Sequence, residues 1–233
     1  MFRFKQFVIR QQQCAMKVGT DGVLLGSWCR LPEKGKVLDV GTGTGLLALM
    51  VAQRSEEVSV VAIEIDGDAV AQATENCQSS PWKNRIKVQH TSLQEFGRES
   101  KKVFDAVVCN PPYFNQSLRC PDDKRSQARH SDSLSFDDLL TFSVDLLKHD
   151  GMMSVILPTN ESEVFERKAV EKGLFLNRVM NVYPNPEKEV KRKLMEFSFE
   201  RKEVEVQHLV VEKERHIYTD EYKTLTKDFY LNF

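Results

Sequence analysis

Residues 36–54, KVLDVGTGTGLLALMVAQR, constrain the fold more than any other stretch of the 233-residue chain. The apolar run KVLDV reads as a strand. Three alternating glycines follow, Gly41, Gly43 and Gly45, and then an apolar segment with helical spacing that closes on Arg54. Strand, glycine-rich turn and helix in that order place a ligand site at the carboxyl edge of a sheet, where open α/β folds bind. The spacing here is G-x-G-x-G. A dinucleotide fingerprint needs G-x-G-x-x-G, and Leu46 breaks it. The glycines still let a backbone approach a ligand closely, but the case for a pyrophosphate is not made.

The alternation continues downstream. VSVVAIE, RIKVQH, VFDAVVCN and GMMSVILP read as further strands, and DAVAQATENCQ, SFDDLLTFSVDLLKH and residues near 161–172 as helices. Ser135 and Asp138 supply a Ser-x-x-Asp cap for the second of these helices. LFLNRVMNVYP and RKLMEFSFER bracket the basic segment PNPEKEVKRK and predict two strands joined by an exposed loop. The closing HIYTDEYKTLTKDFYLNF predicts a helix that docks its aromatics. Together these features predict an α/β fold, a mostly parallel sheet with helices on both faces. No repeat or linker divides the chain, so one domain over 1–233 is expected, a length that can bury a sizeable core.

MFRFKQFVIRQQQ is too polar for a signal peptide, and no apolar run approaches a membrane span. The five cysteines (Cys14, Cys29, Cys77, Cys109 and Cys120) are scattered without close pairs, which predicts reduced thiols, no metal site and a cytoplasmic protein. A net charge of −1 gives no global case for a polyanionic partner. Positive charge is instead local. RCPDDKRSQARH carries Arg119, Lys124, Arg125, Arg129 and His130, and KEVKRK carries Lys188, Lys191, Arg192 and Lys193. Such runs are solvated faces unless a site beside them takes a polyanion.

Two acids accompany the glycine turn: Asp39 inside the strand and Glu64 at the end of the next one. A strand-end carboxylate can accept both hydroxyl hydrogens of a ribose diol. VLDVGTGTG, VAIEID and NPPY, in that order, resemble motifs of the class I S-adenosylmethionine-dependent methyltransferases over roughly residues 36 to 200. The resemblance implies a Rossmann-like sheet of seven strands, mostly parallel with an antiparallel last strand, and S-adenosyl-L-methionine as cofactor. It implies that Gly41, Gly43 and Gly45 line the cofactor and that Glu64 holds its ribose. Asp39 would sit beneath the turn, near the amino-acid end. Members often carry an acid against the adenine after the third strand. Here HTSLQEF offers Ser92, whose hydroxyl can donate or accept.

VVCNPPYF, residues 107–114, ends a strand on an amide, two prolines and two aromatics. Proline fixes its own φ and holds the preceding residue extended, so the strand cannot run smoothly into a helix. An exocyclic amino or amide nitrogen is a poor nucleophile, because its lone pair is delocalised. Attack on a methyl sulfonium needs that nitrogen rehybridised and aimed, which two acceptors, one per N–H, would achieve. The Asn110 side chain and a backbone carbonyl fixed at Pro111 and Pro112 are suitable acceptors. Tyr113 offers a face for a planar base, worth about 1–3 kcal/mol in single-stranded binders. Taken alone, the stretch reads equally well as a proline loop whose aromatics cap a core.

In the resembling families this motif acts on adenine N6, cytosine N4, guanine N2 or a glutamine side chain, and it does not choose among them. FRFKQFVIRQQQCAMKVGTDGVLLGSW, NPPYF with Cys120 and ARH, and the closing KDFYLNF resemble the bacterial tRNA-valine adenine-37 N6-methyltransferase family over nearly the whole chain. That resemblance implies N6-methylation of an anticodon-loop adenine, with the tRNA anticodon stem-loop as partner. It also implies a cap, residues 1–35, placing Lys17, Thr20 and Asp21 over the cofactor cleft; otherwise Asp21-Gly22 reads as a turn. A loop adenine flips out more cheaply than a paired one, and Arg125, Arg129, His130, Lys191 and Arg192 are the expected RNA contacts. A monomer is expected. The alternatives are an N5-glutamine methyltransferase acting on a protein such as a release factor, and a DNA adenine methyltransferase. The first carries a substantial helical domain before the glycine turn, where this chain has about 36 residues, and the second would be expected to have a target-recognition insertion. An RNA chaperone without turnover is disfavoured by the intact Asn110, Pro111, Pro112 and Tyr113.

Overall fold

The structure, a computed structural model, describes residues 1–14, 16–99, 101–112 and 134–232. A small hairpin, β1 (Phe2–Arg3) with β2 (Val8–Ile9), is followed by α1 (Thr20–Trp28). Five parallel strands come next: β3 (Lys34–Val40), β4 (Glu57–Glu64), β5 (Ile86–His90), β6 (Phe104–Cys109) and β7 (Leu147–Pro158). The helices along this part of the chain are α2 (Leu46–Arg54), α3 (Gly67–Gln78), α4 (Leu93–Glu99) and α5 (Phe136–Leu146), and α6 (Thr159–Glu171) follows β7. Next come β8 (Phe175–Tyr183), β9 (Arg192–Ser198) and β10 (Glu205–Val210), then β11 (Glu212–Glu214), β12 (Ile217–Tyr218) and α7 (Asp220–Thr226).

One sheet takes the order β10-β8-β9-β7-β6-β3-β4-β5, with β9 antiparallel to both its neighbours. The seven expected strands are present with β9 reversed, and the sequence expectation is corrected by one. β10 adds an eighth strand, parallel to β8, so the reversed strand is the last neither in the chain nor in the sheet. β10 left little apolar signal because it is an edge strand: Leu209 is buried while Val206 is 56% exposed. Three further boundaries differ. Leu147, Lys148 and His149 begin β7 rather than end a helix, because Leu147 pairs with Phe104. Asp21 and Gly22 lie in the first turn of α1, not in a reverse turn. The final helix is short, although Tyr222 and Phe229 are buried as expected.

Two cores flank the sheet. α1, α2 and α7 pack on one face around Leu24, Leu49 and Ile156, and α4, α5 and α6 on the other around Leu140, Phe165 and Phe197. Arg178 and Glu196, both buried, pair at 2.8 Å, and the Arg178 guanidinium stacks 3.8 Å from the Trp28 ring. Breaking a buried pair of this kind strands a charge, so β8, β9 and the end of α1 are held in one arrangement. The hairpin is anchored far along the chain: Phe4 stacks on Phe7 at 4.6 Å and on Tyr230 at 5.9 Å, and the Lys5 N–H donates to the Phe229 carbonyl.

Candidate active site

Parallel strands end on one edge, so the carboxyl ends of β3, β4 and β6 bring Val40, Glu64 and Cys109 together. The chain leaves β3 through a turn with three left-handed residues, Gly41, Gly43 and Gly45 (φ 67°, 55° and 82°). Asp39, fully buried, braces this turn. Its Oδ2 accepts the Thr42 hydroxyl at 2.5 Å and the Ala48 N–H at 3.1 Å, while Oδ1 has no partner among the described residues. Burial pushes its carboxyl up to about 7 against the lowering effect of those two donors. The glycines divide by role. A Cβ at Gly41 or Gly43 would meet no atom of the described residues within 4 Å, so both expose bare backbone to a hollow. A Cβ at Gly45 would meet Cys77 Sγ at 3.3 Å. Gly45 therefore belongs to the packing of α3, and it is not among the residues that line the hollow.

That hollow has a volume of about 630 Å³, within the range of small-molecule sites. Gly41, Gly43 and Glu64 line it, as do Ser92, Asn110 and Pro112. Glu64 Oε2 accepts the Gly43 N–H at 2.9 Å, and Oε1 accepts those of Ile65 and Asp66 at 2.8 and 3.1 Å. The carboxylate is thus fixed in place, with acceptor capacity to spare. Ser92 is occupied differently: its Oγ donates to Glu95 Oε2 at 3.0 Å and accepts the Glu95 N–H at 3.1 Å, while Glu95 accepts the Ser92 N–H. This is a capping box at the start of α4. The Ser-x-x-Glu spacing is readable in the sequence.

A second hollow of about 290 Å³ is lined by Lys17, Thr20 and Asp21, and shares Met16, Gly41, Gly43 and Asn110 with the first. Asn110 therefore stands where the two meet. Lys17 Nζ donates to the carbonyls of Gln11 and Cys14, which folds the segment before α1 onto itself. Asn76 of α3 clamps that segment, exchanging hydrogen bonds with Arg10 N and O and donating to Thr44 O of the glycine turn. Arg192 Nε donates to Asp21 Oδ2 at 2.8 Å, so these two expected contacts pair with each other. Lys191 is exposed on the loop between β8 and β9. Pro111 is buried and Pro112 exposed. Tyr113, Phe114, Cys120, Arg125, Arg129 and His130 lie outside the described residues. Sequence reasoning missed Asn76, Gln94 and the cavity-facing side of Asp138, because only tertiary packing brings them to the site.

The model of the methyltransferase small domain family matches residues 17–160. A tRNA1(Val) (adenine(37)-N6)-methyltransferase of Bacteroides thetaiotaomicron is 46% identical over 99% of this chain and 97% of its own length. The enzyme of the same name from Parabacteroides distasonis is 47% identical over the same shares. The chain belongs to the tRNA1(Val) (adenine(37)-N6)-methyltransferase family. Its fold is similar to that of solved methyltransferases at much lower identity. A protein of Agrobacterium tumefaciens described as a predicted O-methyltransferase superposes with a TM-score of 0.66 over 90% of this chain and 96% of its own, at 17% identity. A geranyl diphosphate C-methyltransferase from Streptomyces coelicolor, solved with S-adenosyl-L-homocysteine, gives 0.53 over 75% and 73%, at 11% identity. In this member of the family the residues fit a nucleoside ligand with an amino-acid end: a bare glycine backbone, a fixed strand-end carboxylate and an orphaned buried Asp39 oxygen all face or underlie one hollow.

Proposed function

We infer that the protein methylates N6 of adenine 37 in tRNA1(Val), using S-adenosyl-L-methionine. Membership of the family and relatives aligned over nearly the full chain support the reaction, and the place of Asn110 at the meeting of the two hollows supports its geometry. S-adenosyl-L-methionine supplies an electrophilic sulfonium methyl group. Gly41 and Gly43 would receive it on bare backbone, Glu64 would accept from its ribose hydroxyls, and Asp39 would steady the turn beneath its amino-acid end. Lys17, Thr20 and Asp21 would close the cleft from above as part of a cap formed by residues 1–35.

Asn110 leaves β6 at the rim. Its side-chain oxygen accepts one hydrogen of the target amino group, and the Pro111 carbonyl accepts the other. The nitrogen lone pair is thereby released from the ring and aimed. The nitrogen loses a proton readily once methylated, so no base is needed beforehand. Tyr113 stacks the flipped adenine. Arg125, Arg129, His130, Lys191 and Arg192 hold anticodon-arm phosphates. We place the enzyme in the cytoplasm as a monomer. The four described cysteines are free and buried, and among the described residues no helix is long and apolar enough to cross a membrane.

The test is Asn110→Ala. S-adenosyl-L-homocysteine binding should stay within about twofold of wild type, while transfer of labelled methyl to tRNA1(Val) falls by at least about a hundredfold. Retained turnover would remove Asn110 from the mechanism, and label appearing in protein alone would overturn the tRNA assignment.

A further inference from the structure

Ser92, the residue expected to meet the cofactor's adenine, has its hydroxyl engaged as both donor and acceptor in the capping box of α4. The hollow continues past it. Beyond Glu64 the walls are Ile65, Leu93 and Leu134, apolar surfaces suited to a planar ring, interrupted by Asp66 and Thr91 and by two further polar side chains, Gln94 and Asp138. They come from different elements, the first turn of α4 and the first turn of α5, and they touch. Gln94 Nε2 donates to Asp138 Oδ2 at 3.3 Å, and the same oxygen accepts the Ser135 hydroxyl at 2.8 Å. The donors are thus drawn to one carboxylate oxygen. Gln94 Oε1 and Asp138 Oδ1 have no partner among the described residues, so the pair offers two acceptors beside the second N–H of Gln94.

We propose that Gln94 and Asp138 read the exocyclic amino group of the cofactor's adenine, in the role for which the end of β5 offers no acid. The inference rests on S-adenosyl-L-methionine being the ligand of this hollow. An amino group brings two N–H donors to two acceptors, whereas a purine bearing a carbonyl at that position would set oxygen against oxygen. Discrimination comes from this mismatch, since a polar site rejects an analogue that leaves its buried groups unpaired.

The experiment measures calorimetric binding of S-adenosyl-L-homocysteine and of S-inosyl-L-homocysteine, which carries the carbonyl, to wild type, Asp138→Asn and Gln94→Leu. Wild type should prefer the adenosyl compound. Asp138→Asn, which keeps the shape and leaves the backbone cap at Ser135 in place, should lower that preference about tenfold by weakening the adenosyl compound and tolerating the inosyl one. Gln94→Leu should lower it in the same direction. A loss of thermal stability with the preference unchanged in both variants would reduce the pair to helix capping and overturn the proposal. Wild type that binds neither compound would instead overturn the cofactor assignment itself.

Discussion

Asp39 carries a buried carboxyl, pushed up to about 7 and so close to half ionised at neutral pH, in a place where the fold needs an acceptor. Its Oδ2 is engaged by Thr42 and Ala48, and burial disfavours the charge. A carboxyl whose pKa is raised from 3.8 to about 7 stabilises the fold most at low pH and loses that contribution as pH rises through 7. Wild type should therefore lose stability relative to Asp39→Asn by up to about 1.4 kcal/mol per pH unit between roughly pH 4 and 7. Urea melts of both proteins across that range would show it, and parallel curves would refute it. Glu64 and Asn110 are legible as candidates because each stands at the end of an apolar run, where an α/β sheet places its chemistry, and Asp39 because it is an acid inside such a run. Ser92 is legible as a position on the hollow, and its hydroxyl is engaged in the cap of α4. The Glu three residues later, the same signal used correctly at Ser135 and Asp138, marks it as a cap. Gln94 and Asp138 were not legible as neighbours, because they lie on separate helices and only the packing of α4 on α5 joins them.

The turn between β3 and α2 separates two reasons for glycine. At Gly45, a side chain would have to adopt φ 82° and press on Cys77 and Ala73, so Gly45→Ala should cost about 1–3 kcal/mol in thermal or urea melts. Its effect on S-adenosyl-L-homocysteine affinity should be small. Gly41→Ala meets no protein atom and should do the reverse, projecting a methyl group into the hollow and weakening the ligand about tenfold or more for a smaller loss of stability. Elements with one strong apolar period were readable, including β8 and β9 with their exposed loop. α4 escaped notice because it is short and contains Gly97. That glycine is explained by the neighbour it admits: a Cβ there would come within 2.5 Å of the Phe142 ring. β10 escaped for the opposite reason, having little to bury.

The parallel strands set the address of everything polar. β9 enters the sheet at Arg192, which pairs in register with Pro158 at the end of β7, so the basic loop before it opens on the same edge as the glycine turn and Asn110. The Thr159 hydroxyl donates to the Val190 carbonyl and holds that loop in place. Lys188 and Lys191 are exposed on it, whereas Arg192 is paired with Asp21. Replacing both lysines with alanine should weaken tRNA binding and reduce the slope of log K against log salt by roughly 1.4–1.8, with S-adenosyl-L-homocysteine affinity unchanged. An unaltered slope would return them to the solvated surface.

The aromatic seam between the first hairpin and residues 229–230 carries a consequence for how the enzyme comes into being. Phe2 and Phe4 lean on Tyr230, and Lys5 Nζ reaches the carbonyl of Lys227, 222 residues along. At translation rates of about 5–20 residues per second, the hairpin waits roughly 10–45 seconds for the surface it binds. Met16 to Asp21, which wall the second hollow, follow this hairpin in the chain. The wall of the second hollow is therefore complete only after Tyr230, made more than two hundred residues later, has packed against the hairpin.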